Sequence, residues 1–167
     1  TGNGVKWNDI KVLLENFKGI VVADEAYINF AKYRSLIPEL LNYPNLLIMQ
    51  TLSKAWGLAG LRVGLAFASS MIIALFNRVK PPYNISQPAQ EIALKALQQT
   101  DQVNEWIRLV VRERDEMAAQ LKQLKSVLKV YDSDANFLLV KVTGADELYQ
   151  QLVNKGIITR NRSKVEL

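Results

Sequence analysis

The length and composition of this chain are those of an ordinary globular protein, but two residue types are missing. Its 167 residues suffice to bury a hydrophobic core, and 49% of them are apolar. The charged residues, 21 basic and 16 acidic, give a net charge of +5 and are scattered, which argues against a nucleic-acid or membrane stripe. The absence of cysteine excludes disulfides and thiolate metal sites, and the absence of histidine excludes triads of the Ser-His-Asp type. Acid–base chemistry must therefore rest on Lys, Tyr, Asp or Glu.

The ends of the chain and its apolar runs suggest a location and an origin. No run is long and apolar enough to predict a membrane span, and the N-terminus lacks the pattern of a signal peptide, so we expect a cytoplasmic protein. The chain opens on Thr1-Gly2 rather than on Met, and it stops at Leu167 shortly after a strand-like segment. We therefore expect a fragment of a longer protein.

The first hundred residues alternate between helical and strand-like patterns. Apolar residues at helical spacing predict a helix that ends near Phe17, and an uninterrupted apolar run follows it at 20–23. Such continuous apolarity is typical of strands that are buried on both faces of a parallel sheet covered by helices. Further along we predict a short helix at 35–41, strands at 46–49 and 65–68, and helices at 71–78 and 86–97.

From Asp101 the pattern changes to that of a second, smaller unit. A long amphipathic stripe predicts a helix over 101–124. After it we predict strands at 127–130 and 137–142, a helix at 146–154 and a strand at 157–159. The fold class is therefore α/β. Residues 1–100 should form part of a large, mostly parallel sheet domain, and residues 101–167 the linking helix and an incomplete α+β domain.

Polar residues directly follow two of the predicted strands. Residues 24–27 read Asp-Glu-Ala-Tyr and follow the first strand, whereas residues 51–54 read Thr-Leu-Ser-Lys and follow the second. Ligands in open α/β sheets bind beyond the carboxyl ends of strands, so both segments should face one site. Taken singly, an Asp-Glu pair is more often a turn or a helix cap, and one lysine is more often an ordinary surface residue.

Asp24, Lys54 and Arg62 together predict a binding site for pyridoxal phosphate. If Ala55 and Trp56 desolvate the amine of Lys54, its neutral and nucleophilic form is favoured. Arg62 follows glycines that let backbone approach an anion, and its guanidinium can grip a phosphate with two hydrogen bonds. Asp24 supplies a carboxylate for a pyridine nitrogen. An imine partner, a carboxylate and a phosphate cup are the three groups that this cofactor requires.

Two motifs in this order resemble the fold-type I aminotransferases, a family of enzymes that use pyridoxal phosphate. They are D-E-A-Y at 24–27 and S-K-A-W-G-L-A-G-L-R-V-G at 53–64, and the resemblance covers essentially the whole chain. Three further segments, 81–84, 133–137 and 156–160, are similar to the branch of the family that acts on histidinol phosphate.

The resemblance implies a fragment of the aspartate-aminotransferase-like fold and assigns a role to each site residue. Lys54 would hold the cofactor as a Schiff base and shuttle a proton. Asp24 would pair with the pyridinium nitrogen, and Tyr27 would contact the phenolate oxygen. The cofactor phosphate would be bound by Ser53, Arg62 and Thr51, and the phosphate of the substrate by Arg160. The implied reaction is amino transfer between L-histidinol phosphate and 2-oxoglutarate in histidine biosynthesis, by a homodimer.

Parts of the family pattern are absent from this sequence. Of the family's N-P-T-G segment only Thr1 and Gly2 match, and the C-L-R segment, whose arginine grips the substrate carboxylate, does not occur. We therefore expect this chain alone to be inactive or nearly so.

Three other interpretations remain open at the level of sequence. Threonine-phosphate decarboxylases and aromatic aminotransferases share the Lys54 and Arg62 pattern. A non-enzymatic phosphate-binding α/β module would explain the glycines but not a lysine between a strand end and those glycines. An interaction domain built on the helix at 101–124 is a third possibility, although such an apolar stripe usually packs against its own domain.

Overall fold

The computed structural model describes residues 2–164, which form a three-stranded sheet, a two-stranded sheet and α-helices around them. The α-helices are α1 (Trp7–Asn16), α2 (Ser70–Val79), α3 (Gln87–Leu97), α4 (Thr100–Leu121) and α5 (Ala145–Asn154). The strands are β1 (Val21–Asp24), β2 (Leu46–Thr51), β3 (Gly64–Ala68), β4 (Val127–Val130) and β5 (Val140–Val142). Short 3-10 turns occur at Ile28–Phe30, Ile37–Leu41 and Ala59–Leu61. Within residues 2–164 no helix is both long and apolar enough to cross a bilayer.

The larger sheet has the order β1-β2-β3 and mixes parallel and antiparallel pairing. β1 runs parallel to β2 with Val21 opposite Leu46, as predicted. β3 is antiparallel to β2, with Thr51 opposite Gly64, and is the antiparallel strand of this part of the predicted, mostly parallel sheet. Only residues 52–63 separate β2 from β3, and they contain no α-helix to carry the crossover that a parallel pair needs.

The core of the molecule lies around β2. Leu46, Leu47 and Ile48 are essentially inaccessible to solvent, and Leu46 and Ile48 pack with Leu14 of α1. Burial on both faces, which continuous apolar runs predict, therefore holds for the first half of β2. It is wrong for β1, because the face that carries Val22, which is 52% exposed, is left open by residues 2–164.

The second half of the chain follows the predicted order as far as α5, with β4 at the predicted residues and β5 shorter than predicted. α4 ends at Leu121, and β4 pairs antiparallel with β5. β5 begins at Val140 rather than at 137, because Ser133 Oγ donates to the carbonyl of Phe137 (2.6 Å) and bends residues 133–137 into a turn.

The strand predicted at 157–159 is wrong. The N–H of Ile157 donates to Leu152 O at 2.8 Å and so caps α5, with Gly156 at a φ of 75° where a left-handed residue ends the helix. The N–H of Ile157, which a strand would use for pairing, is therefore bonded to the helix end. The next residue, Ile158, is 78% exposed.

Candidate functional site

The predicted site residues leave the larger sheet at one edge. Asp24 ends β1 beside Met49, and Thr51 ends β2, so Asp24 and Lys54 follow the carboxyl ends of two parallel strands as predicted. Arg62 reaches the same edge for a reason that the sequence pattern does not reveal. Because β3 is antiparallel, its first residue, Gly64, pairs with Thr51, and Arg62 lies just before it.

The segment at 52–63, hereafter the site loop, is held by its apolar side chains. Leu52 and Val63 are buried against Ala89 and Ala93 of α3. The N–H of Leu52 donates to Val63 O at 3.2 Å, which closes the base of the loop. The apolar residues thus anchor the loop to the protein while the polar residues between them remain accessible.

Lys54 lies on the accessible side of the site loop. Its side chain is exposed, whereas the adjacent Ala55 is buried at 8% exposure. The predicted desolvation of the amine by Ala55 and Trp56 is therefore wrong, because these side chains point into the protein and not over the amine. Lys54 Nζ instead lies 5.2 Å from the centroid of the Tyr27 ring, a distance at which a cation–π attraction operates.

Asp24 and Tyr27 are placed by the turn that follows β1. Asp24 is exposed, and its Oδ1 accepts a hydrogen bond from the N–H of Ala26 at 3.0 Å, which fixes the turn. The Tyr27 ring packs edge-on against Phe137, with centroids 5.5 Å apart and an interplanar angle of 80°. The turn at 133–137 therefore touches the site through Phe137, a contact that sequence reasoning missed.

Arg62 and Ser53 offer hydrogen-bond donors at the site, whereas the hydroxyl of Thr51 is already engaged in hydrogen bonds within the protein. Arg62 takes a left-handed conformation (φ 57°, ψ 36°), is exposed, and donates from Nη1 to Ala59 O at 3.1 Å, so most of its N–H groups remain available. Thr51 Oγ1 donates to Val63 O (3.3 Å) and accepts from the N–H of Ser53 (3.1 Å). Within residues 2–164 the Ser53 hydroxyl has no partner and is the freer of the two.

Glu25 does not face the site that the Asp-Glu pair predicts. It is buried at 7% exposure and accepts hydrogen bonds from Ser35 Oγ (2.7 Å), Leu36 N (2.7 Å) and Gln50 Nε2 (2.9 Å). Successive residues at a strand end point to opposite sides, and this alternation was the available signal that Asp24 and Glu25 have different environments. Glu25 holds the 35–36 segment against β2.

We expect Glu25→Ala to lower the free energy of unfolding by about 2–4 kcal/mol, because it leaves three partly buried donors without their acceptor. The exposed Glu15, which makes only a 3.6 Å contact with Lys11, is the matched control, and Glu15→Ala should cost about 0.5 kcal/mol or less. Urea unfolding of the two variants measures the difference. Equal, small losses would contradict the role of Glu25.

Arg160 is not brought to the sheet edge by any contact that the structure describes. It is exposed in the segment after α5, and hydrogen bonds to Asp146 fasten that segment. Asn161 Nδ2 donates to Asp146 Oδ1 at 2.6 Å, and Ser163 Oγ donates to the same oxygen at 2.8 Å. The pKa of Asp146 is held below its ordinary value, mainly by the hydrogen bond from Asn161, next by the hydrogen bond from Ser163, and also by the charge of Lys164.

We expect the order of the 161–163 segment to depend on pH in acid. A carboxyl whose pKa is lowered by folding stabilises the fold above its unfolded pKa of about 3.9 and loses this contribution as pH falls through the lower, folded value. Hydrogen exchange of the Ser163 amide should therefore lose protection in acid below pH ~4. In Asp146→Asn the protection should be weaker at neutral pH and change little with pH. Identical pH profiles in the two proteins would refute this role of Asp146.

The sequence of residues 3–167 matches the protein family described as Aminotransferase class I and II. A histidinol-phosphate aminotransferase from Flavobacterium psychrophilum is 48% identical over 167 residues, which are 100% of this chain and 48% of that protein. The chain thus spans about half the length of the curated relatives it matches.

Two solved structures show the same fold at lower identity. A histidinol-phosphate aminotransferase from Sinorhizobium meliloti, in complex with pyridoxal-5'-phosphate, aligns with a TM-score of 0.80 and 22% identity over 96% of this chain and 46% of that one. An L-threonine-O-3-phosphate decarboxylase from Porphyromonas gingivalis aligns with a TM-score of 0.85 and 23% identity over 97% and 51%. The predicted fold class, an α/β part of the aspartate-aminotransferase-like fold, is confirmed.

Proposed function

The chain belongs to the class I and II aminotransferases, and we propose that it carries the cofactor-binding centre of an enzyme that transfers an amino group between L-histidinol phosphate and 2-oxoglutarate. The observation that carries the proposal is the position of Lys54. It follows the carboxyl end of β2, lies over Tyr27, and shares one sheet edge with Asp24 and Arg62. The 48% identity to a histidinol-phosphate aminotransferase supports the choice of substrate.

The donor set at this edge fits pyridoxal phosphate. Lys54, Asp24 and Arg62 are all exposed, and none of them forms an ion pair within residues 2–164. A Cβ built on Gly57 or Gly60 would meet no atom within 4 Å, so the backbone of the site loop is open to close approach. An amine, a carboxylate and a cationic cup are thus accessible together, which matches the aldehyde, the ring nitrogen and the phosphate of the cofactor.

Each side chain then has a distinct task. When bound, pyridoxal phosphate supplies an electron sink for a carbanion at the α-carbon of the substrate. Lys54 Nζ would hold the cofactor through its aldehyde carbon and would carry the proton of the substrate's α-carbon. Asp24 would keep the ring nitrogen protonated, and the Tyr27 hydroxyl would donate to the phenolic oxygen.

The phosphate ligands differ in how strongly the structure supports them. Arg62 and Ser53 bind the cofactor phosphate through a guanidinium and a hydroxyl that are free to donate. Thr51 is the weaker member of the set, since its proton is directed to Val63 O. Arg160 binds the phosphate of the substrate, which requires the segment after α5 to face the site in the complete enzyme.

The proposal extends to the organisation of the complete enzyme. Residues 1–100 belong to its large domain and residues 101–167 to the linking helix and the small domain. The complete enzyme acts as a homodimer in the cytoplasm, the state and location expected from the resemblance described above. Sedimentation of the complete protein checks the dimer.

Arg62→Ala tests the phosphate cup. We expect it to weaken the binding of pyridoxal phosphate by roughly tenfold to a hundredfold, since one or two charge-assisted hydrogen bonds are lost. Pyridoxal, which lacks the phosphate, should bind the variant and the unaltered chain equally. Absorbance titration with both compounds measures the difference.

Arg78→Ala is the matched control, since Arg78 is an exposed arginine in the last turn of α2 and is not part of the site loop. It should leave both affinities unchanged. The phosphate role of Arg62 fails if Arg62→Ala and Arg78→Ala bind pyridoxal phosphate with the same affinity, or if Arg62→Ala weakens pyridoxal and its phosphate equally.

A decarboxylase of threonine phosphate is the second candidate, favoured by the fold likeness to the enzyme from Porphyromonas gingivalis. Both candidates use the same cofactor centre and a substrate with a phosphate, so the Lys54 and Arg62 geometry does not separate them. Assays of the complete protein separate them. Formation of glutamate from 2-oxoglutarate with histidinol phosphate supports the aminotransferase, and release of carbon dioxide from threonine phosphate supports the decarboxylase.

A further inference from the structure

Among residues 2–164, Arg114 is the one buried cation, and the proposed chemistry does not use it. It lies in α4, and its side chain is only 4% exposed. Its Nη1 donates to two backbone carbonyls, Phe30 O at 3.2 Å and Ala135 O at 2.9 Å. A buried guanidinium is costly unless it is paired and hydrogen-bonded, so its placement needs a reason.

The two carbonyls belong to segments that are distant in sequence and meet at the site. Phe30 ends the 3-10 turn that directly follows Tyr27, and Ala135 lies in the turn that presents Phe137. The rings of Tyr27 and Phe137 are in edge-on contact at 5.5 Å, and Lys54 Nζ lies 5.2 Å from the Tyr27 ring. A continuous series of contacts therefore leads from Arg114 through both turns to the amine of Lys54.

The guanidinium plane is itself fixed by the neighbouring residue. Asp115 Oδ1 accepts a hydrogen bond from Arg114 Nε at 2.9 Å. The same oxygen also lies 2.9 Å from Arg114 Nη2, but that contact is an ion pair without the alignment of a hydrogen bond. Asp115 is largely exposed, so one end of this pair is solvated while the other reaches into the protein. The ammonium of a lysine cannot reproduce this planar arrangement of several donors.

We infer that Arg114 is a positioning residue for the cofactor site: by tying the turn after Tyr27 to the turn of Phe137, it sets where the Tyr27 ring lies relative to Lys54. The effect of Arg114 on cofactor binding rests on the proposed function, whereas its effect on the position of the Tyr27 ring applies to the protein without cofactor as well. Arg114 makes no hydrogen bond to Lys54 or Tyr27, and it acts through the two backbone carbonyls and the Tyr27–Phe137 contact.

The test compares Arg114→Lys and Arg114→Met with Arg112→Met in the 167-residue chain. Arg112 lies on the same helix, but it is 64% exposed, and its ion pairs within residues 2–164 are with Glu113 and Glu116, which makes it the matched control. Two readouts are used. The first is the NMR resonances of the Tyr27 ring without cofactor. The second is the affinity and the visible circular dichroism of added pyridoxal phosphate, which report how firmly the ring is oriented.

We expect both Arg114 variants to shift the Tyr27 ring resonances, to weaken cofactor binding by about tenfold to a hundredfold and to reduce the visible circular dichroism. Arg112→Met should leave all three unchanged. Unchanged Tyr27 resonances in a folded Arg114→Lys protein would overturn the inference, and so would equal effects of Arg114→Met and Arg112→Met.

A further variant keeps the inference testable if the Arg114 variants unfold. Phe137→Leu leaves Arg114 in place and removes the aromatic contact through which it acts, so it should reproduce the loss of circular dichroism. Wild-type values in Phe137→Leu would overturn the inference. Failure of the unaltered chain to bind pyridoxal phosphate would instead count against the proposed function, while the shifts of the Tyr27 resonances would still decide the role of Arg114.

Discussion

Lys54→Ala abolishes the covalent retention of pyridoxal phosphate. In the unaltered chain the amine of Lys54 and the aldehyde of the cofactor form an imine, with loss of water, which gives a yellow band. Borohydride reduces this imine to a secondary amine, so the yellow band disappears while the cofactor stays covalently bound through dialysis. The variant keeps Arg62, Ser53 and Asp24, so it retains the phosphate cup but has no nucleophile at the sheet edge. We expect a complete loss of the reduced, stably bound cofactor, measured by absorbance and by the mass of the intact protein.

Lys95→Ala is the control for this prediction. Lys95 is exposed on α3, the helix that packs beneath the site loop, so its removal changes the lysine content without changing the site. It should retain the label at the wild-type level. Equal labelling of Lys54→Ala and Lys95→Ala would show that the cofactor reacts with surface lysines in general and would remove the basis of the proposed function.

Ile48→Ala is the substitution with the largest expected effect on stability. Ile48 is 0% exposed at the centre of β2 and packs with Leu14 and Leu46, so truncation leaves a cavity in the main core. We expect the free energy of unfolding to fall by about 2–5 kcal/mol. Because β2 ends at Thr51, the loss also loosens the strand from which the site loop departs.

Met49→Ala, at the next position of the same strand, is the control. Met49 is 41% exposed, so its truncation removes less buried area and should cost about 1 kcal/mol or less. Urea unfolding monitored by tryptophan fluorescence compares the two. A cost for Ile48→Ala no larger than that for Met49→Ala would contradict the placement of the core around β2.

Much of the fold is predictable because its signals are local. The helical spacing before Phe17 and the long apolar stripe after Asp101 each indicate a helix, and the structure places α1 and α4 there. Asp24 and Lys54 can be assigned to one sheet edge because the carboxyl ends of parallel strands meet there. These inferences need only the order of residues along the chain.

The parts that the sequence does not predict depend on contacts between distant segments. The antiparallel direction of β3 places Arg62 beside the end of β2, and no local pattern encodes that direction. Arg114 bonds to a carbonyl 84 positions away, and nothing in the sequence of α4, which also contains Arg108 and Arg112, marks Arg114 for such a partner. The exposure of Lys54 was also mispredicted, because adjacency to Ala55 and Trp56 in sequence does not determine which way each side chain points.

The central claim is that Lys54, among all the lysines of this chain, is the residue that holds pyridoxal phosphate. The most direct measurement is borohydride reduction of the chain with a stoichiometric amount of the cofactor, followed by proteolysis and mass spectrometry of the peptides. We expect the reduced cofactor on the peptide that contains Lys54 and Trp56. A label distributed over many lysines, or concentrated on a lysine away from the sheet edge, would contradict it.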